Sequence, residues 1–319
     1  VAGITGQGTT FNLPNYVGEL FAATPEDTPL LSSIGGLTGG ESAGATFFEW
    51  QGYDLRAGAD NRQRLEGADA PNGEERVRFN ASNVLEIHQE AVEISYTKQA
   101  ANRQRSTGGQ PDVTVGGTVM PADELAWQLE QQFKQKAFDI EKTFITGKYA
   151  KPADNTAPRK TRGLLEAITT NVGTVAGGIL TEDAVLDLFQ DVWDNGGIQM
   201  GETRTVMVNS TLKRALTKIF IKDRGYQEST RNVGGVDLQT FETDFGKANI
   251  MLSRYVPVDT LIVASLEELA PTFLEIPGKG HFFAEPLAKT GSADKVQIYG
   301  EIGLKYGNEK KHGKLTVTA

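Results

Sequence analysis

The sequence predicts an α+β fold, and three observations carry that prediction. A long amphipathic helix pattern runs over 121–146, strand and helix patterns alternate over roughly 179–275, and strand-like alternation frames them at 45–95 and 282–319. Hydrophobic residues at 39% can fill a core, and charged residues at 23% with both signs mixed mark a folded chain, not a disordered one. A length of 319 residues leaves room for two or three compact units.

Residues 1–44 read as an N-terminal arm. Glycine recurs from Gly3 to Gly44, and Pro25 and Pro29 fix extended or turn conformations. Tyr16, Leu20, Phe21, Leu30 and Leu31 are its apolar anchors. That is too little apolar surface for the arm to fold alone, so it must lie on its own domain or on a neighbour, and these five side chains are expected at contacts between subunits.

Residues 45–100 read as an extended loop built on a β-hairpin. Thr46–Trp50, Arg76–Phe79 and Val84–Ser95 are strand-like, with Pro71-Asn72-Gly73 as a turn. Between them Asp54, Arg56, Asp60, Arg62, Arg64, Glu66, Asp69, Glu74, Glu75, Arg76 and Arg78 form a charged stretch in which every cation is arginine. Arginine forks onto carboxylates better than lysine does, so these side chains are expected at a contact between subunits. A solvated hairpin tip is the plainer alternative.

Residues 101–178 hold the clearest helix, 121–146. Pro121 suits its first turn, Asp123 and Glu124 complement its dipole, and Gly147 ends it. Leu125, Leu129, Phe133, Ala137, Ile140 and Phe144 share one face. Over 179–275 a helix at 181–194 starts at Thr181, a strand spans Thr203–Val208, and a second helix capped by Ser210 carries Leu212, Leu216 and Phe220 on one face: a small α/β unit. Residues 276–319 return as strands, including Val296–Tyr299 and Leu315–Val317.

Chemistry is sparse. With no cysteine, disulfides, zinc-thiolate sites and thiol catalysis are excluded. A net charge of −9 argues against a protein that coats nucleic acid. No apolar run is long enough for a membrane helix, and no signal peptide is visible; the first residue, Val1, fits either loss of the initiator or cleavage of a leader. His88, His281 and His312 are isolated in sequence, lack ligand spacing, and read as surface or interface residues. No catalytic, cofactor-binding or metal residues are therefore assigned. Gly40-Glu41-Ser42-Ala43-Gly44 has the letters of a serine-hydrolase nucleophile elbow, but a glycine-rich arm precedes it and a strand follows. A flexible hinge is the expectation, and a hydrolase using Ser42 the alternative from another class.

Several segments together resemble one family. They are Thr24–Leu31; Glu49-Trp50 with Leu65–Ala70; Glu141–Gly147 with Gly163-Leu164-Leu165; Val206–Ser210; and Gly300–Leu304 with Asn308–Gly313. In order and spacing they are similar to the major capsid proteins (major head proteins) of tailed bacteriophages with the Hong Kong 97-type fold. The resemblance implies an N-arm, an extended loop, a peripheral domain on a spine helix (101–178), an axial domain (179–275) and return strands (276–319). It implies hexamers and pentamers of an icosahedral shell around double-stranded DNA, bound without sequence specificity, with a portal and a cement protein as further partners. It places the chain in the virion capsid, assembled in the bacterial host cytoplasm and not on a membrane. An encapsulin-like shell shares the fold and stands as the alternative. The type member cross-links a loop lysine to a neighbour's asparagine, whereas the first lysine here is Lys98 and the loop has none before it.

Overall fold

The computed structural model describes residues 19–20, 27–53, 55, 58, 60, 62–101, 113–115, 118–120, 124–199, 202, 204–223, 240–289 and 291–318. Along the chain come β1 (Glu19–Leu20), α1 (Pro29–Ser33), β2 (Glu41–Ala43), β3 (Phe47–Tyr53), β4 (Arg78–Val84), β5 (Glu86–Ser95) and α2 (Tyr96–Ala101). Then follow β6 (Val113–Val115), β7 (Thr118–Met120), α3 (Glu124–Thr146), α4 (Leu164–Ala167), β8 (Val172–Ala176), α5 (Glu182–Asp194), β9 (Arg204–Val208) and α6 (Ser210–Thr217). The C-terminal third holds β10 (Thr240–Thr243), β11 (Gly246–Leu252), β12 (Thr260–Ser265), β13 (Ala270–Leu274), β14 (Phe282–Pro286), β15 (Ala293–Lys305) and β16 (Gly313–Thr318).

Two compact units emerge. The smaller comprises 1–26, 91–134 and 286–297; the larger comprises 27–90, 135–285 and 298–319. In the smaller, β1 lies parallel to β6, and β6 pairs antiparallel with β7. The Tyr96 amide donates to the Ser292 carbonyl, and Lys289 bridges the Tyr96 hydroxyl at 3.0 Å and Asp294 at 2.7 Å.

The larger unit is organised by a six-stranded sheet in the order β10-β11-β9-β12-β16-β8. Its central strand β12, Thr-Leu-Ile-Val-Ala-Ser, is buried throughout, which the sequence signals as an apolar run without polar alternation. Successive side chains on a strand face opposite sides, so the sheet divides two cores. Val206, Val208, Leu261, Val263, Leu315 and Val317 pack with α5 and α6, while Met207, Ile262 and Ala264 pack with Ile140, Phe144, Leu164 and Ile302. The α/β unit thus draws β8 and β16 from outside 179–275, and these cover an edge of β12 that would otherwise lie open.

Helix ends follow the sequence with one correction. The Thr181 hydroxyl accepts from the Ala184 amide, as expected of an N-cap. Ser210 is not the cap of α6; Asn209 holds that position, and its amide is engaged with the Val256 carbonyl at 3.1 Å instead of the helix. The helix expected over 121–146 is α3, Glu124–Thr146, about 35 Å of rod; 121–123 lie outside the described residues.

The remaining strands form a five-stranded sheet, β14-β15-β13-β2 with β5 also paired to β15, and a separate two-stranded ribbon, β3–β4. Because β5 joins β15, the ribbon closes at Val84, not near residue 100. The expected flexible hinge around Ser42 is a strand as well: β2 pairs parallel with β13, Ser42 opposite Phe273.

Candidate assembly surfaces

The ribbon is rooted firmly at its base. Its pairing runs in register from Phe47 opposite Val84 to Tyr53 opposite Arg78. Gly52 leaves room for the Phe79 ring, which a Cβ there would meet at 2.2 Å. Val84 and Leu85 are buried, and the Leu85 amide donates to the Thr46 carbonyl. Trp50 donates its indole N–H to the Gly307 carbonyl at 2.8 Å and meets Tyr306 edge-on. Asn83 is fully buried and uses its whole amide. Its Nδ2 donates to the carbonyls of Leu304 and Arg162, and its Oδ1 accepts from the amides of Val84 and Arg162.

Beyond Tyr53 and Arg78 the character inverts. Every described residue from 62 to 78 is exposed. Apolar side chains are not spared, with Leu65 at 85%, Val77 at 71% and Leu55 at 70%. Arg62 and Arg76 both hold Glu74, the latter at 2.8 Å, and Arg78 reaches Gln51 at 3.3 Å. Those arginines are thus partly satisfied within the ribbon. Arg64, Glu66, Asp69 and the Glu75 carboxylate have no partner among the described residues, and Asp54 and Arg56 lie outside them.

The arm residues divide. Leu30 and Leu31, expected as contacts with a neighbour, are 0% and 2% exposed and belong to the core beneath α3. This corrects the expectation, because side chains already covered by their own chain offer no surface to another. Leu20 lies in β1; Tyr16 and Phe21 lie outside the described residues. What anchors this stretch is Glu141 of α3, which sequence reasoning passed over as part of a motif. Its two carboxylate oxygens accept from the amides of Leu30 at 3.1 Å and Leu31 at 2.6 Å, satisfying donors left free at the start of α1. Burial pushes the Glu141 carboxyl up from its ordinary value, and the two amide bonds oppose that shift.

Two of the three histidines, expected at the surface or at an interface, are buried within the chain itself. The His312 ring is fully enclosed, with Nε2 2.9 Å from the Tyr306 carbonyl and Nδ1 accepting from the Ser265 amide. Burial holds its pKa below the usual value. His88 is held down to about 4 by burial and by Lys136, a buried ammonium paired with Glu90 at 2.7 Å and Asp139 at 3.3 Å. The third, His281, stacks on Phe273, and its Nε2 lies 2.8 Å from the Ser42 hydroxyl. No carboxylate among the described residues bonds His281, and Ser42 sits mid-strand instead of at a strand-to-helix turn. Among the described residues no group of acidic or histidine side chains is arranged to hold a metal, and no helix is long and apolar enough to cross a membrane.

The model of one protein family, described as SU10 major capsid protein, matches residues 3–319. The major capsid protein of Escherichia phage Phieco32 is 25% identical, over 98% of this chain and 95% of that protein. The capsid subunit of cyanophage A-1(L) superposes with a TM-score of 0.64 at 11% identity, covering 98% of this chain and 99% of that one. The SrpI encapsulin of Synechococcus elongatus superposes with a TM-score of 0.52 at 10% identity, covering 87% and 84%.

Proposed function

The chain belongs to the SU10 major capsid protein family and is a subunit of a tailed-phage shell with the Hong Kong 97-type fold; from that premise we propose that the charged loop 54–78 at the tip of its ribbon is the element by which one subunit grips the next. The observation that carries this is the exposure of every described residue from 62 to 78, apolar ones included, on a ribbon whose base is buried. Between Tyr53 and Arg78 the described residues form no strand, and a loop this long is usually functional, so a neighbour's surface is the natural cover for it. Arg64, Glu66, Asp69 and Glu75 are the charges that the ribbon leaves for a neighbour, with Arg62, Glu74, Arg76 and Arg78 shaping it. In the N-arm, Tyr16, Leu20 and Phe21 are the residues for the same role.

On this reading the subunits close as hexamers and pentamers around double-stranded DNA, assembled in the host cytoplasm, with a portal and a cement protein as further partners. A net charge of −9 suits a container for DNA better than a DNA-binding coat. The phage-capsid family match favours this over the encapsulin alternative. The work is assembly and not catalysis: Ser42 has a histidine neighbour, but among the described residues no acid bonds that histidine, and Ser42 lies mid-strand, not at the strand-to-helix turn of a hydrolase. Replacing 60–76 by a short turn should give a folded protein that forms no shells in electron micrographs; shells of normal size would overturn the role of the ribbon. Ester hydrolysis lost in Ser42→Ala would revive the enzyme.

A further inference from the structure

The two helices on one face of the six-stranded sheet carry opposite charge. Helix α5 holds Glu182, Asp183, Asp187, Asp191 and Asp194 and no lysine or arginine. Asp183, Asp187, Asp191 and Asp194 are spaced four, four and three apart, which places them on one face, and all four are exposed. Helix α6 and the helical turn after it, Lys218–Asp223, carry Lys213, Arg214, Lys218 and Lys222 with no acid before Asp223; Arg214 and Lys218, four apart, are exposed. Neither the four aspartates nor Arg214 and Lys218 pair with a charged group among the described residues.

Glu182 and Asp183 complement the dipole in the first turn, but beyond it the fold of α5 gains nothing from this pattern. Like charges four apart repel along a helix, and carboxylates in the last turn, Asp191 and Asp194, oppose its dipole. The apolar sides of both helices are buried in the same core, so their charged sides face outward. Packing places them apart on that face: α5 lies over β16 and β8, and α6 over β9. Beside the acidic stripe Trp193 is 56% exposed, against Phe245 at 6.4 Å, an aromatic of the kind that anchors interfaces.

We propose that the acidic face of α5 in one subunit docks on the basic face of α6 in the next, a head-to-tail contact between copies of this chain. This rests on the reading that subunits assemble into rings. Two different faces that fit each other make a heterologous contact, which closes into a ring when the rotation allows. Charge complementarity fixes the order of subunits and speeds their encounter. A basic segment of another protein is the competing occupant of α5.

The test uses two full-length variants. One carries Asp187→Lys and Asp191→Lys, the other Arg214→Glu and Lys218→Glu. Each alone should lose its capsomer peak in sedimentation while keeping the wild-type circular dichroism and melting. Mixed one to one they should recover rings, because each reversed helix then meets its complement. Such alternation closes in hexamers and fails in pentamers, which cannot alternate. Folded variants that assemble alone as the wild type does, or that stay apart on mixing, would overturn the contact; the second result, with α5 reversal alone abolishing capture of a basic partner, would assign α5 to that partner. Failure of the wild type to form rings in the same buffers would refute assembly itself, a separate outcome.

Discussion

At the scale of residues, the decisive groups are buried and ionisable. Glu141 bonds two backbone amides a hundred positions away, so the start of α1 is satisfied by a side chain of α3. Glu141→Gln keeps one acceptor and turns an amide N–H toward a backbone N–H. A lost bond to a charged acceptor with a buried donor left unpaired costs about 1–3 kcal/mol, and denaturant unfolding should show that loss. His88 works through pH. Its folded pKa is about 4 against an ordinary 6.5, so between those values the unfolded chain binds the extra proton. Stability therefore falls as pH drops through that window, by on the order of 3 kcal/mol at its acid end. Glu141 and Glu86, with raised values, act in the opposite sense, so the comparison must be between variants. His88→Leu should flatten the acid limb of urea midpoints measured from pH 7 to 4.5; an unchanged limb would remove His88 as its cause. Neither role was visible in the sequence. A histidine inside an alternating strand and a glutamate inside a helix repeat look the same whether they meet water or a partner distant in the chain.

Elements were more legible, because periodicity is local. Ile140 and Phe144, read from the helix repeat, lie in the core, and Leu212, Leu216 and Phe220, read as one face of the second helix, do too. What failed was pairing: Val84–Ser95 has strand alternation, but nothing local says that β5 joins β15 and not the ribbon. The same limit hid why Gly147 and Gly163, quoted above as parts of a motif, are glycines. A Cβ on Gly163 would stand 2.5 Å from the Gly147 nitrogen and 2.7 Å from the Thr143 carbonyl, and one on Gly147 would stand 2.8 Å from the Thr161 carbonyl. The segment after α3 thus folds back against its last turn with no room for a methyl. Gly163→Ala must push backbone from backbone, and overpacking of this kind costs about 1–3 kcal/mol. A melting temperature within a degree of wild type would show that the turn can yield.

For the molecule as a whole, cohesion has to be argued from what holds copies together. The chain has no lysine before Lys98, so the ribbon offers no amine for an isopeptide bond to a neighbour. Its arginines cannot replace one, since a guanidinium stays protonated and is a poor nucleophile. Exposed ion pairs give ~0–1 kcal/mol each. A shell built on them and on buried apolar area gains strength by repetition and stays sensitive to salt and detergent. Assembled particles boiled in detergent should therefore run as a single band near 34.5 kDa, the mass of this sequence. A ladder of multiples would mean a covalent bond formed from a lysine elsewhere, and mass spectrometry of the cross-linked peptide would locate it. High salt should likewise loosen unboiled particles well before it unfolds the subunit, because contacts between exposed charges are screened while the two cores on either side of the sheet are not.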